Sequence, residues 1–454
     1  MTTLISTNPY TLEVNATFET ITREELDKKI ILAHEAYLSW KNVSKTEKKA
    51  LFLKLAHLIE ANREELATIQ TKEMGMLYSA SFAGLGSTGK LIEWYANNFE
   101  SLLAPLTEEG NGTKHEYHYD PLGVIYGIAP WNFPFNQVLR AAIPNILAGN
   151  TVIYKHASNT PIAGARIESL FLEAGFPIGV YQNLFISSSE SEYILSRREV
   201  RGVNLTGSEG AGRSVGSLAG KYLKPSVLEL GGNDAFIVAH TKNLEGIAHE
   251  AVKARISNNG QKCNSSKRFI VIEEYYDAFI ELAKKAMESL IIGNPMDPST
   301  DLGPLARADL RDEIHMQVEK TISEGARLIT GGKKLDRTGY FYAPTLLADV
   351  TTNMTSYREE VFGPVASIIR VRNLDEAIEI ANHSDFGLCG CVYGDDIEEL
   401  KYVARQIETG MVFLNRPSAS QPHLPFGGVK LSGYGKENGP EGLRAFTNKK
   451  VIVY

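Results

Sequence analysis

The sequence predicts an α/β protein made of two doubly wound, Rossmann-like domains and a small β arm. Three observations carry this. Short apolar runs alternate with helical stretches from residue 123 to 230, and the same alternation restarts at Ala235-Phe236-Ile237-Val238 and runs to residue 414. Two further strand-like pieces, 117–119 and 450–454, have no obvious local partner. Repeated strand–helix–strand units imply parallel sheets with helices on both faces.

Each element follows from local sequence. After an irregular start, residues 23–99 read as successive amphipathic helices, with Leu51-Phe52, Leu55-Ala56 and Leu58-Ile59 recurring at helical spacing. The run from Gly123 to Ala129 reads as a buried strand, and 134–147 as a helix closed by Gly149. Residues 151–155 form the next strand. Pro161 then takes a first helical position, in a helix that ends at Gly175. Strands follow at 180–186, 202–205 and 226–230. The second half holds a helix over 244–256 stopped by Asn258-Asn259-Gly260, then strands at 268–272, 366–369 and 410–414. The two orphan pieces could pair with each other or extend a neighbouring subunit's sheet edge.

Composition narrows the function. A chain of 454 residues exceeds one ordinary core, and its net charge of −7, with both signs mixed, argues against a nucleic-acid surface. No window reaches the ~18 apolar residues of a membrane span. The opening Met1-Thr2-Thr3-Leu4 lacks the charge and apolar run of a signal peptide. Three cysteines cannot form a disulfide framework, so a reducing, cytoplasmic setting is expected.

Two stretches carry most of the chemistry. Glu229-Leu230-Gly231-Gly232 puts a carboxylate at the carboxyl end of a strand, where open α/β sheets hold ligands; partial desolvation there suits a base. The alternative is a rim carboxylate paired with lysine. Asn259-Gly260-Gln261-Lys262-Cys263 puts a thiol on a loop between a helix stop and a strand, with Lys262 beside it to favour thiolate. The alternative is a buried structural cysteine. Cys389 and Cys391, on one face of a strand, read as ordinary packing. In Trp131-Asn132-Phe133-Pro134, Asn132 is read first as a helix cap and second as an oxyanion donor. Thr206-Gly207-Ser208 opens a glycine-rich helix after a strand end, a weak phosphate-binding signal. Gly84-Leu85-Gly86-Ser87-Thr88-Gly89-Lys90 nearly matches a P-loop, but Leu91 stands where Ser or Thr belongs and no strand precedes it. It reads as a decoy. His115 and His118 point to opposite faces of a strand, and no metal is expected.

WNFP, the strand-end Lys155, Gly207-Ser208, ELGG, GQxC, Glu359-Glu360-Val361-Phe362-Gly363-Pro364 and Pro425-Phe426-Gly427-Gly428 occur in one fixed order. Over nearly the whole chain this resembles the aldehyde dehydrogenase superfamily. The resemblance implies that Cys263 is the nucleophile, that Glu229 activates the deacylating water, and that the Asn132 amide and the Cys263 backbone N–H form the oxyanion hole. It implies NAD or NADP bound by Trp131, Lys155, Ser158, Gly207, Ser208, Leu230, Glu360 and Phe362. Lys155 and Glu360 would contact the two riboses, with Phe362 flanking the nicotinamide. Residues 1–102 and 122–230 would then be the NAD(P)-binding domain and 231–420 the catalytic domain. Residues 103–121 and 436–454 would bridge or oligomerise, as a homodimer or homotetramer.

One departure concerns the cofactor. Where the family often has Lys-Pro-x-Glu, this chain reads Lys155-His156-Ala157-Ser158. A carboxylate there would repel a 2′-phosphate, whereas Ser158 beside Lys155 admits one, so NAD and NADP both stay open. For the substrate, Arg140 and Ser420 resemble residues of the bacterial succinate-semialdehyde dehydrogenase branch, the arginine holding a distal carboxylate. A second arginine of that branch is replaced by Ser257, leaving Arg255 or Arg416 to assist. The reading is therefore oxidation of an aldehyde, foremost succinate semialdehyde, through a cysteine thiohemiacetal and thioester. The alternatives are a CoA-acylating dehydrogenase and a catalytically silent binding protein on the same fold.

Overall fold

Two parallel sheets dominate the computed structural model, which describes residues 3–454; Met1-Thr2 of the N-terminal reading lies outside the described residues. In the first sheet, strands Ser226–Glu229, Val200–Thr206, Val124–Ile128, Thr151–Lys155 and Tyr181–Leu184 run parallel in that spatial order. Gly433–Tyr434 adds an antiparallel edge beside Glu229. These strands are almost wholly buried because helices cover both faces, which is why their sequence is continuously apolar rather than alternating. The helices Lys45–Ala61, Tyr78–Leu102, Asn136–Leu147 and Pro161–Ala174 share one core containing Phe52, Tyr95, Phe135 and Phe171. Burying side chains of this size contributes ~1.5–3 kcal/mol each. Trp40 anchors the helix Arg23–Trp40 to this layer, donating its indole N–H to the Ile146 carbonyl at 2.8 Å.

The second sheet has the order Arg327–Thr330, Thr345–Ala348, Val365–Val371, Ser266–Ile272, Asp234–Val238, Cys389–Tyr393, Met411–Leu414, parallel except for the first pair. Cys389 and Cys391 lie in its core, each 1% exposed. A third, antiparallel sheet joins Thr447–Val453, Thr113–Pro121 and Leu106–Gly110. The two orphan pieces thus pair with each other, with Lys450 opposite His118. Val451, Ile452 and Val453 stay exposed along this arm.

Two local readings change, and the decoy reading of the near-P-loop does not. The irregular start is a hairpin of Thr3–Thr7 with Val14–Glu19. Its turn uses an Asn8 side chain accepting the Tyr10 N–H at 2.9 Å and a left-handed Leu12 (φ 67°), with no glycine to announce it. The helix after WNFP starts at Asn136, two residues late, and has no side-chain cap. The near-P-loop lies inside the helix Tyr78–Leu102, with Lys90 exposed on it. No described helix is long and apolar enough to cross a membrane.

Candidate active site

The carboxyl ends of the first sheet open onto a cavity of about 680 Å³ that reaches across to the second. Trp131 and Asn132 enter it from beyond Val124–Ile128, and Lys155 and Ser158 from the end of the next strand. Gly207 and Ser208 enter after Val200–Thr206, and Leu230 after Ser226–Glu229. From the other side come Cys263, Glu360 and Phe362. Residues far apart in sequence therefore line one cavity.

The loop bearing Cys263 is held by polar side chains that fold it tightly. Asn258 and Asn259 adopt left-handed conformations (φ 52° and 56°), which asparagine tolerates better than most residues. Asn258 Nδ2 donates to the Asn132 carbonyl at 3.0 Å, and Asn132 Nδ2 donates to the Gln261 carbonyl at 3.0 Å. Asn132 does not cap the following helix; it faces the nucleophile loop and keeps a second amide N–H. Arg255 is fully buried and donates to the carbonyls of Val365, Val361 and Gly260 at 2.6, 2.6 and 3.2 Å. That guanidinium is committed to joining two loops, so it is not the substrate-binding arginine the sequence allowed. Arg416 is exposed.

Burial pushes the Cys263 thiol up to about 11, against the pull of Arg140 and then Lys267. Those two cations lead the opposition; Lys262, the neighbour in sequence, instead donates to the Ser418 carbonyl at 3.3 Å. Glu229 is 2% exposed and neither carboxylate oxygen has a hydrogen-bond partner. Burial first, and the Glu437 carboxylate second, hold its carboxyl well above the usual range. Gly427 (φ +152°) makes this possible, because a Cβ there would stand 2.3 Å from Glu229 Oε1.

Arg140 is off the main cavity wall, 3% exposed, in an ion pair with Glu437 and 4.2 Å above the Phe426 ring. Asn204 holds the other Glu437 oxygen at 3.0 Å, and Arg140 Nη2 has no partner. Ser420 Oγ accepts a hydrogen bond from Asn438 Nδ2 at 2.8 Å, which places it beside the Glu437 segment. Glu437 carried no sequence signal, since its partner lies far away in the chain. Lys267 was missed for the same reason.

The cavity suits a dinucleotide. Ser208 caps the helix Glu209–Lys221, accepting the Ala211 N–H at 3.3 Å, and this N-terminus lines the cavity where a phosphate would sit. Gly231 lets Glu360 approach, as a Cβ would meet Glu360 Oε2 at 2.2 Å. The Trp131 and Phe362 rings stand nearly perpendicular with centroids 5.7 Å apart. Lys155, Ala157 and Ser158 line one part of the cavity without a carboxylate among them.

A capped helix N-terminus lining one part of the cleft, a thiol lining another part and a buried carboxylate, the latter two both within electrostatic reach of Arg140, fit one class, an NAD(P)-dependent dehydrogenase. The chain belongs to the aldehyde dehydrogenase family, which matches it over residues 2–452. It is 43% identical over 448 residues to a succinate-semialdehyde dehydrogenase [NADP(+)] of Mycobacterium tuberculosis, covering 98% of each chain. A Deinococcus radiodurans protein of the same description is 40% identical over 445 residues, covering 98% of this chain and 93% of that one. The crystal structure of a Streptococcus pyogenes succinic semialdehyde dehydrogenase in complex with NADP+ superposes with a TM-score of 0.97 at 38% identity, covering 99% of each chain. Neither the CoA-acylating nor the silent alternative is favoured by these likenesses.

Proposed function

We propose that this enzyme oxidises succinate semialdehyde, or a similar short ω-carboxy aldehyde, to the carboxylate with NADP as the preferred cofactor. The observation that carries the reaction is the bare, buried Glu229 carboxylate and the cavity-lining Cys263, both within electrostatic reach of Arg140. The NADP-dependent relatives and the Lys155–Ser158 pair support the cofactor choice. Residues 1–102 and 122–230 are read as the cofactor domain, 231–420 as the catalytic domain, and 103–121 with 436–454 as the oligomerisation arm. A cytoplasmic homodimer or homotetramer is the proposed form, in keeping with the exposed apolar strand at 451–453.

In this reading Cys263 Sγ, its proton released to solvent, adds to the aldehyde carbon. Asn132 Nδ2 and the Cys263 N–H hold the oxyanion. The nicotinamide cofactor, when bound, accepts the hydride. Cys263 is then left as a thioester, and Glu229, once ionised, takes a proton from the attacking water. Its raised affinity for protons suits that task. The acid departs and the thiolate is restored. Aldehyde, oxidised cofactor and water thus yield carboxylate, reduced cofactor and protons. The test is absorbance at 340 nm with succinate semialdehyde and neutral aldehydes, each with NAD and NADP. Equal rates for neutral aldehydes would refute the substrate.

Two substitutions probe specificity. Arg140→Ala should raise KM for succinate semialdehyde about 10- to 100-fold relative to propanal, the size of a charged hydrogen-bonded contact, while its effect through the Cys263 thiol falls on both aldehydes alike. Because it strands a buried Glu437, it is best made with Glu437→Gln. Equal changes for both aldehydes would assign Arg140 a structural role. Ser158→Glu should lower the NADP-to-NAD ratio of kcat/KM about 100-fold through like-charge repulsion with the 2′-phosphate. An unchanged ratio would remove Ser158 from cofactor selection.

A further inference from the structure

The nucleophile loop has a charged support behind it that the reaction outlined above does not use. Lys267, the second residue of the strand Ser266–Ile272, is 2% exposed. Its ammonium reaches the Cys263 carbonyl at 2.6 Å, the Lys262 and Ser265 carbonyls at 3.2 Å each, and Glu360 Oε1 at 3.0 Å. With three protons for four acceptors, it shares its hydrogen bonds among them. Glu360 also accepts the Gly232 N–H at 3.1 Å.

We propose that Lys267 is a positioning residue that orients and polarises the Cys263 backbone N–H as an oxyanion donor, and ties this loop to Glu360 at the cofactor cleft. The proposal rests on the reading of Cys263 as nucleophile. The Lys262 carbonyl and the Cys263 N–H belong to one planar peptide unit and point in opposite directions. A cation seated on the carbonyl therefore aims the N–H away from itself. It also draws electron density from the amide and strengthens the N–H as a donor, as chained hydrogen bonds do. Ser265 adds its N–H (3.2 Å) and hydroxyl (3.1 Å) to the same carbonyl, so the peptide is held by several donors, of which Lys267 brings the charge.

The glycines of ELGG fit this arrangement. A Cβ at Gly232 would stand 2.9 Å from the Cys263 carbonyl oxygen, and one at Gly231 would displace Glu360. Both positions are thus kept clear for the acceptors that Lys267 joins. Lys267 also acts on the thiol through space, alongside Arg140 and against Glu360 and Asp234. The oxyanion role must therefore be separated from an effect on thiolate content.

Two reactions of the cofactor-free protein separate them. Acylation of Cys263 by p-nitrophenyl acetate passes through a tetrahedral oxyanion, whereas alkylation by iodoacetamide does not. Both need the thiolate, so their ratio at a given pH cancels the thiolate fraction. Lys267→Met should lower the ratio of acylation to alkylation about tenfold or more, a part of the ~10²–10³ that removing an oxyanion donor costs. Lys267→Gln, which keeps a neutral donor, should lower it about threefold, and it serves alone if Lys267→Met does not fold. An unchanged ratio in a folded variant, including a proportional fall of both rates, would overturn the proposal. Cys263→Ala, which leaves no acyl acceptor at this position, serves as the control. Persistent acylation in it would overturn the nucleophile reading itself, whereas acylation lost there with the Lys267 ratio unchanged would overturn the positioning role alone.

Discussion

Cys263→Ala should lower turnover about 10⁴-fold or more with every aldehyde and either cofactor, the scale on which enzymes lose a covalent nucleophile. The same variant should still bind NADP, because Lys155, Ser158 and the helix Glu209–Lys221 line the far part of the cavity and are untouched. Iodoacetamide gives the complementary result. Cys389 and Cys391 are each 1% exposed in the core of the second sheet, so one adduct per chain is expected, on Cys263. Its rate should climb steadily from pH 7 through pH 10, since burial holds the thiol near 11 and thiolate is what reacts. A plateau below pH 8 would mean that the thiol is already activated in the cofactor-free protein. Normal turnover in Cys263→Ala would remove the covalent mechanism altogether.

The parts of this protein that were legible in its sequence are those set by local rules. The helix Leu244–Ile256 follows from apolar spacing and a stop at Asn258-Asn259-Gly260, and the buried strands follow from continuous apolar runs. The cavity residues were reachable because ELGG, WNFP and GQxC each sit at a strand end or a tight turn, where chain geometry limits what can follow. The N-terminal hairpin was not legible, because a left-handed leucine and an asparagine side chain make its turn in place of glycine. The local reading of Asn132 as a helix cap failed for a related reason. Whether an asparagine caps a helix or faces a loop depends on a partner, Gln261, that only the assembled fold supplies. Glu437 and Lys267 are the extreme case. An isolated Glu or Lys is among the commonest surface residues, and its burial shows only when Arg140, Asn204 or Glu360 arrives from another element.

Glu229→Gln should separate the two halves of the reaction. The first half ends in a thioester on Cys263, and the second needs a base to take a proton from water. An amide cannot do so, and loss of a general base costs about 10²–10⁴-fold. A rapid burst of reduced cofactor equal to the number of sites, followed by a slow steady rate, is therefore expected in stopped-flow absorbance at 340 nm. No burst would mean that Glu229 is required already for attack by the thiol, and unaffected steady turnover would remove it as base. The same variant carries a stability signature of opposite sign. Glu229 is buried without a hydrogen-bond partner, so its carboxyl holds a proton far more tightly in the folded chain than in the unfolded one. A group whose affinity for protons is raised by folding loses stability as pH rises above its unfolded value, because the unfolded chain releases the proton first. Replacing it with a neutral amide removes that loss. Glu229→Gln should thus melt at a higher temperature than the parent at pH 8, with the gap closing toward pH 5. A variant that is both more stable and stalled at the thioester is what a carboxylate kept bare for water predicts; one that melts lower at pH 8 would mean that Glu229 has polar partners in solution and is not held bare for catalysis.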